Sequence, residues 1–484
     1  MSLPIISVAQ MREWEKATWA AGQTEAEVIR RVGKCVAQYA LQLTRPDDLI
    51  VILAGKGHNG EDARCAKEHL ADRRVDVLDL KDPADDLSKL EVHVSLHPKL
   101  VIDGCFGIGL NRPLGSEWVN FIERINKAKA NVLAVDVPSG LNAETGLPEG
   151  AAIRASVTLT VGAPKCGMIK ASAWPFVGRL EVASEVGLTL CPFVADLNWT
   201  RADDFAGFPR PRQVATHKGT YGHLGIIAGS LGYHGAAVLS ARGAQRAQPG
   251  LITLHTLEST YVPVASQLQA VMVSPWNPGT DLSQHYSALL VGPGLASKDI
   301  PEELKRMVQQ LWRDSPLPMI VDASALAWLP AGPTPKNAIR VITPHPGEAA
   351  RVLSSSSEQV QADRPEALRQ LSTRFGNAWV ILKGHQTLVG RGQGPIFVNS
   401  CGNPYLAQGG SGDTLSGYLA GLLAQPELQC DPLTVIRYAV WQHGATADHL
   451  QAARPNWTVE DLVEHLGTIR STHGARLSQP QQAQ

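Results

Sequence analysis

Hydrophobic positions along the chain follow two alternating periods. In residues 7–43, Met11, Trp14 and Thr18, then Val28, Val32, Val36 and Tyr39, recur at helical spacing with charges between them, which predicts two helices. Residues 49–54 form a continuous apolar run, as expected of a strand covered on both faces. A helix-like segment at 63–70 and a strand at 75–78 follow, with further strands expected at 100–103 and 131–136. The rhythm resumes in the second half: strands at 224–229, 251–255, 288–291, 319–321, 340–342 and 379–382, a helix running through residue 246, and an apolar buried helix at 415–423. Repeated strand–loop–helix order predicts α/β architecture with mostly parallel sheets. Residues 196–219 mix charges, Pro209, Pro211 and turn residues without periodicity and read as a linker, which places two domains at 1–205 and 206–484. The serine run 354–357 reads as a surface loop, and the Gln-rich end after Arg476 as disordered.

The chemistry lies at the ends of the strands. The first strand runs into Gly55-Lys56-Gly57-His58-Asn59-Gly60-Glu61-Asp62. Its Gly-x-Gly-x-x-Gly spacing matches a dinucleotide fingerprint, with Asp76 or Asp79 as the acidic partner. Its polar side chains equally suit a hard cation or ligand hydroxyls, or simply close their own turns. Asp103 and then Asp136 with Ser139 end two later strands, each beside glycine-rich turns, so three strand ends direct oxygen ligands at one crevice. In the second half, Gly409-Gly410-Ser411-Gly412-Asp413-Thr414 precedes the apolar helix. Glycines that permit close backbone approach, followed by a helix N-terminus, make an anion site. Asp413 there reads either as an N-cap or as a base that takes a hydroxyl proton while a phosphoryl group moves onto the oxygen. His345, between two prolines, and Lys383, before Gly384, fall at strand-end loops that could surround the same cleft, or read as a surface histidine and a solvated lysine.

Composition narrows the class. The chain of 484 residues exceeds one ordinary core; 44% hydrophobic and 18% charged residues with net charge −1 describe a soluble, globular, enzyme-like protein with no basic bias toward nucleic acid. Seven cysteines without paired Cys-x-x-Cys spacing read as reduced thiols, neither a disulfide framework nor a zinc site. No signal-like N-terminus is present and no apolar run approaches the roughly 20 residues needed to cross a bilayer, so a cytoplasmic location is expected.

The order of the glycine–Asn–Gly–Asp loop, Asp-x-x-x-Gly-x-Gly-Leu-x-x-Pro at 103–113 and Val-Asp-x-Pro-Ser-Gly-Leu at 135–141 resembles the N-terminal epimerase domain of bacterial bifunctional NAD(P)H-hydrate repair enzymes. The resemblance implies a Rossmann-like doubly wound fold. It also implies potassium held by Asn59, Asp103 and Ser139, and a substrate site of His58, Asn59, Gly60, Glu61, Asp62, Gly107, Ile108, Gly109, Leu110, Asn111, Arg112, Pro113 and the catalytic Asp136. The stretch from Gly162-Ala163-Pro164-Lys165 to Val182 is similar to that domain's closing strands. His58, Glu61 and Ala63 stand where the family has Asn, Gly and Gly; Glu61 brings a side chain and a charge to the nucleotide, and a positive φ there would add strain.

The second half carries His-Lys-Gly-x-x-Gly, Gly-Pro-Gly-Leu, Thr-Pro-His-Pro-Gly-Glu-Ala-Ala-Arg, Leu-Lys-Gly-x-x-Thr and Gly-Gly-Ser-Gly-Asp-x-Leu-Ser-Gly in order. It resembles the ribokinase-like dehydratase domain of the same enzymes. The resemblance implies that Ala236, Gly294, His345 and Asp413 contact the hydrated nucleotide, Asp413 as catalytic base. Lys383, Gly384, His385, Gln386, Thr387 and Gly412 would bind ADP or ATP with Mg2+. Ser324 departs from a second Asp usual at that position. The implied partners are NADH and NADPH hydrates and a homo-oligomer of four or more copies, with no membrane or nucleic acid. Two alternatives share these motifs: a ribokinase-like small-molecule kinase with a weakened N-terminal binding domain, and a nucleotide-binding scaffold whose N-terminal half is catalytically dead.

Overall fold

The computed structural model describes residues 2–280, 282 and 285–471. The Gln-rich end after Arg476 lies outside them. The chain divides into two compact units, Leu3–Asp196 and the residues from Leu197 on. Among the described residues no helix is long and apolar enough to cross a membrane.

In the N-terminal unit six parallel strands form one sheet, in the order Arg74–Asp79, Leu49–Ala54, Leu100–Gly104, Asn131–Val135, Val157–Val161, Arg179–Ala183. The apolar run Leu49–Ala54 is buried throughout and serves both faces. Ile50, Ile52 and Ala54 pack with Val28, Val32 and Val36 of helix Glu25–Leu43. Leu49, Val51 and Leu53 pack with Leu90, Phe121 and Ile125 on the other side. Period two is thus hidden by burial on both sides. Strand order reverses between Leu49–Ala54 and Leu100–Gly104, the switch point at which ligands of such sheets bind.

In the C-terminal unit the order is Leu197–Trp199, Ile396–Val398, Leu388–Gly390, Trp379–Leu382, Arg340–Ile342, Met319–Val321, Ala288–Val291, His223–Ile227, Leu251–Thr256, Met272–Pro275. All pairs are parallel except the two made by Leu388–Gly390. Its switch point lies between His223–Ile227 and Ala288–Val291. The expected linker is partly structured: Leu197–Trp199 pairs with Ile396–Val398, Phe205 is buried, and Arg437 binds Asp204. A three-residue strand has too little periodicity to announce itself in sequence.

The apolar helix is Ser411–Leu423, with all but two of its residues buried. It packs against helix His234–Ala247, and its glycines are the contact points. A Cβ on Gly417 would lie 1.9 Å from the Ser240 carbonyl oxygen, and one on Gly421 2.6 Å from that of Ala244. These two contacts advance together along both helices, so the helices run parallel and their N-termini open at the same end. Gly417→Ala is expected to destabilise this unit by about 1–3 kcal/mol in equilibrium unfolding, because the obstructing atom is backbone.

Candidate functional sites

The switch point of the N-terminal sheet opens into a cavity of about 820 Å³. His58, Asn59, Asp62, the segment Gly107 to Arg112 and Asp136 line it. Gly60, Glu61 and Pro113 are not on its wall. Residues 58–62, expected as a loop, instead begin the helix His58–Ala66, capped by Gly57. The reason is close packing: a Cβ on Gly60 would lie 2.1 Å from the Gly55 carbonyl oxygen, so strand end and helix start interlock. Glu61 therefore has a right-handed helical backbone and points to solvent, and the expected strain at a positive φ is absent there.

Beneath the cavity, Ser139 ties two strand ends together. Its hydroxyl donates to Asp103 Oδ1 at 2.6 Å and its amide to Asp103 Oδ2 at 2.8 Å, while the Phe106 amide donates to Ser139 Oγ at 2.8 Å. Asn59 Nδ2 donates to the Phe106 carbonyl at 2.9 Å, which leaves Asn59 Oδ1 buried without a partner. Burial raises the Asp103 pKa against the opposing pull of its hydrogen bonds from Ser139 and Cys105. Asp136 has a left-handed φ of 63°, tolerable for Asp, and its Oδ1 meets Lys165 Nζ at 2.5 Å and the Val161 amide at 3.0 Å. Lys165 is fully buried and also donates to Thr160 Oγ1 at 2.8 Å. Two more acids face this pair. Asp62 is pushed well above the usual carboxylate range by burial and by Asp136, and its Oδ1 has no partner. Glu15 is raised by burial and then by Asp136. Neither Lys165 nor Glu15 was singled out by sequence reasoning: Lys165 sits inside a quoted motif, but only the fold buries it against Asp136.

In the C-terminal unit, Ala236 and Gly294 meet at the switch point, where a Cβ on Gly294 would lie 2.9 Å from Ala236 Cβ. Ala236 belongs to the first turn of one parallel helix and Asp413 to the first turn of the other. First-turn amides have no intrahelical acceptor, and that of Ser411 is taken by the Gln408 carbonyl at 3.3 Å. Burial raises the Asp413 pKa to about 6, with Asp322 and Glu348 adding to it and Lys383 opposing. Lys383 Nζ donates to Asp322 Oδ1 at 2.8 Å and lies 4.0 Å from Glu348 Oε2. Thr387 Oγ1 donates to the Gly384 carbonyl at 2.9 Å and Gln386 has a φ of 52°, so 383–387 form a tight turn at the strand end. His345 caps helix Pro346–Leu353: its Nδ1 accepts from the Gly347 and Glu348 amides at 3.1 and 3.3 Å. Burial lowers the His345 pKa against the pull of Glu348, in keeping with an acceptor Nδ1. Beneath the glycine turn, His443 Nε2 donates to the Ser411 carbonyl at 3.0 Å, and burial drives its pKa down to about 4. Asp322, Glu348 and His443 are the members of this site not assigned from sequence.

Comparison with known proteins gives two family matches. A model described as NAD(P)H-hydrate dehydratase matches residues 224–468, and one described as YjeF-related protein N-terminus matches 77–167. A bifunctional NAD(P)H-hydrate repair enzyme of Gloeobacter violaceus is 33% identical over 512 residues, covering 96% of this chain and 97% of the relative. The chain belongs to the bifunctional NAD(P)H-hydrate repair enzymes. The family member of Vibrio cholerae is 36% identical over 377 residues, covering 76% of this chain and 74% of that one. A ribokinase-like superfamily protein of Enterococcus faecalis matches with TM-score 0.50 at 23% identity, over 57% of this chain and 96% of that chain. That likeness gives the C-terminal unit its fold class, ribokinase-like α/β.

Proposed function

We propose that this repair enzyme restores hydrated nicotinamide nucleotides in two steps. The N-terminal unit interconverts the R and S hydrates of NADH or NADPH, and the C-terminal unit dehydrates the S form with ADP or ATP and its Mg2+. The observation that carries this reading is Asp413 in the first turn of a buried helix, its pKa raised to about 6, with the Lys383 ammonium beside it.

Asp413 takes the proton of the ring hydroxyl as the hydroxyl oxygen forms its bond to the terminal phosphorus of the nucleotide and the phosphoanhydride bond breaks. The Gly409, Gly410 and Gly412 amides and Lys383 would meet the negative charge that accumulates on the phosphoryl oxygens, while the Ser411 amide is held by the Gln408 carbonyl at 3.3 Å. Phosphate is then a far better leaving group than hydroxide, and the ring nitrogen lone pair assists its loss. A base with a pKa of about 6 suits this work: it is ionised at neutral pH yet more basic than an ordinary carboxylate. The rate of dehydration should therefore fall on acidification with a limb near pH 6, read from kcat/KM for the S hydrate against pH.

In the N-terminal unit Asp136, oriented by Lys165, is the catalytic group. A potassium ion fits the residues beside it. Asn59 Oδ1 is buried and unpartnered, and the donors that reach Asp103 (the Ser139 amide and hydroxyl and the Cys105 amide) are all neutral. Asn59, Asp103 and Ser139 would hold it, and a bound monovalent cation would supply positive charge for orienting a polar substrate. The exposed position of Glu61 supports a working site despite the altered loop. A cytoplasmic, homo-oligomeric enzyme remains part of this reading.

Mixed R and S NADH hydrates, incubated with ADP, Mg2+ and K+, test the two steps together. Full recovery of nicotinamide absorbance, ahead of spontaneous epimerisation, is expected. Recovery that stops when the S form is exhausted would remove the epimerase half, and accumulation of a stable phosphorylated product would replace the dehydratase with a kinase.

A further inference from the structure

Asp413 shares its surroundings with charged groups from three other elements. Lys383 comes from the end of strand Trp379–Leu382, Asp322 from the end of Met319–Val321, and Glu348 from helix Pro346–Leu353. The Lys383 ammonium is not merely near the glycine turn. A Cβ built on Gly412 would lie 3.3 Å from its nitrogen, so the ammonium rests against the backbone of the helix's first turn. What keeps it there is visible. Asp322 is buried, and its Oδ1 accepts from Lys383 Nζ at 2.8 Å and from the Ala323 amide at 2.8 Å. Ala323 has a left-handed φ of 54°, uncommon for a residue with a Cβ, and the Lys383 amide is anchored to the Pro344 carbonyl at 2.9 Å. A lysine stem has four rotatable bonds, and without a fixed partner its ammonium would be spread over many positions.

We propose that Asp322 is a positioning residue for dehydration: its carboxylate holds the Lys383 ammonium against Gly412, where it meets the phosphoryl group in transfer. This rests on the dehydratase reading above and adds a residue to it. An ammonium has three donors; Asp322 takes one and leaves others free to turn toward an anion at the helix N-terminus. The alternative is a buried ion pair that only supports the fold.

Both partners of the pair also act on Asp413. Asp322 and Glu348 raise its pKa and Lys383 lowers it, while His345 and His443, both with lowered pKa values, are neutral near pH 7. Removing the charge of Asp322 takes away one raising influence but also frees the opposing Lys383 ammonium, so its effects on the acidic limb of the rate profile offset each other. Removing that of Lys383 moves it to higher pH. A purely structural pair would give the same shifts, so the loss of kcat in a folded enzyme is what separates the two roles.

The test uses the full-length protein with purified S hydrate and ADP. Asp322→Asn is expected to lose kcat by about 10–100-fold, the cost of a misplaced transition-state group, with KM for the hydrate changed far less. Lys383→Met is expected to lose at least as much kcat with the limb displaced upward. A folded Asp322→Asn enzyme with kcat within about threefold of wild type overturns the proposal. Should that variant fail to fold, Asp322→Glu decides: a carboxylate displaced by one methylene shifts the ammonium from Gly412, so loss of kcat with KM little changed supports the assignment and a wild-type kcat overturns it. A wild type that cannot dehydrate the S hydrate overturns the underlying reading and this proposal with it, whereas an active wild type with an unaffected Asp322→Asn overturns this proposal alone.

Discussion

Asp413→Asn is expected to lose dehydration by about 10³-fold or more and, at the same time, to melt at a higher temperature than the wild type. The loss follows from its role: asparagine keeps the shape and one acceptor but cannot take the hydroxyl proton, and general-base catalysis is worth about 10²–10⁴-fold. The gain follows from the electrostatics. The folded-state pKa, about 6, lies above the ordinary 3.8. Between those values the folded state keeps a proton that the unfolded state has lost, so stability falls as pH rises through that window. At neutral pH the ionised group costs at most about 3 kcal/mol, at about 1.4 kcal/mol per unit, less what solvent screens. Removing it should raise Tm by several degrees, at about 2–4 °C per kcal/mol for a domain of this size. The advantage should vanish below the ordinary carboxyl pKa, where both states hold the proton. Thermal melts of both proteins at neutral and acidic pH, beside the dehydration assay, check both halves. A variant that is inactive because it is unfolded would refute the account of Asp413.

Lys165→Met is expected to cost the N-terminal unit about 3–5 kcal/mol and to abolish epimerisation while sparing dehydration of pure S hydrate. Breaking one side of a buried ion pair leaves the other charge without compensation, which is costlier than never having had the pair. Here the stranded group is Asp136, buried, with Asp62 and Glu15 already raised partly by its charge. Methionine keeps the aliphatic stem, so the effect reads the charge and its hydrogen bonds to Thr160 and Val161 rather than lost volume. Chemical denaturation followed with the rate of R/S equilibration in the absence of ADP measures both consequences. Stability within about 1 kcal/mol of wild type would show that the pair is dispensable.

The central strands of both sheets were legible because burial on two faces writes an unbroken apolar run into the sequence, whereas Leu197–Trp199, Met272–Pro275, Leu388–Gly390 and Ile396–Val398 were not. Asp136 lines the N-terminal cavity with Asp103 and Ser139 buried beneath it, and Lys383 and Asp413 lie together at the glycine turn. What was hidden depends on tertiary contact. Residues 58–62 read as a loop because glycine, asparagine and charges dominate them, yet Gly60 packed on the Gly55 carbonyl makes them the start of a helix. The same fact turns Glu61 from an obstruction into a solvated side chain. Lys165 lies 29 residues from Asp136, and Lys383 lies 61 from Asp322. Lone lysines are usually solvated, and nothing in a local pattern says that these two are buried against acids.

The most direct test of two complementary sites in one chain uses the Asp413→Asn protein with pure R hydrate, ADP, Mg2+ and K+. The S hydrate should accumulate to the equilibrium mixture faster than it forms spontaneously, with no return of nicotinamide absorbance, and adding wild-type protein should then convert the whole pool to NADH. R hydrate that persists at the spontaneous rate in both proteins would contradict the account, leaving a dehydratase joined to an inert nucleotide-binding domain.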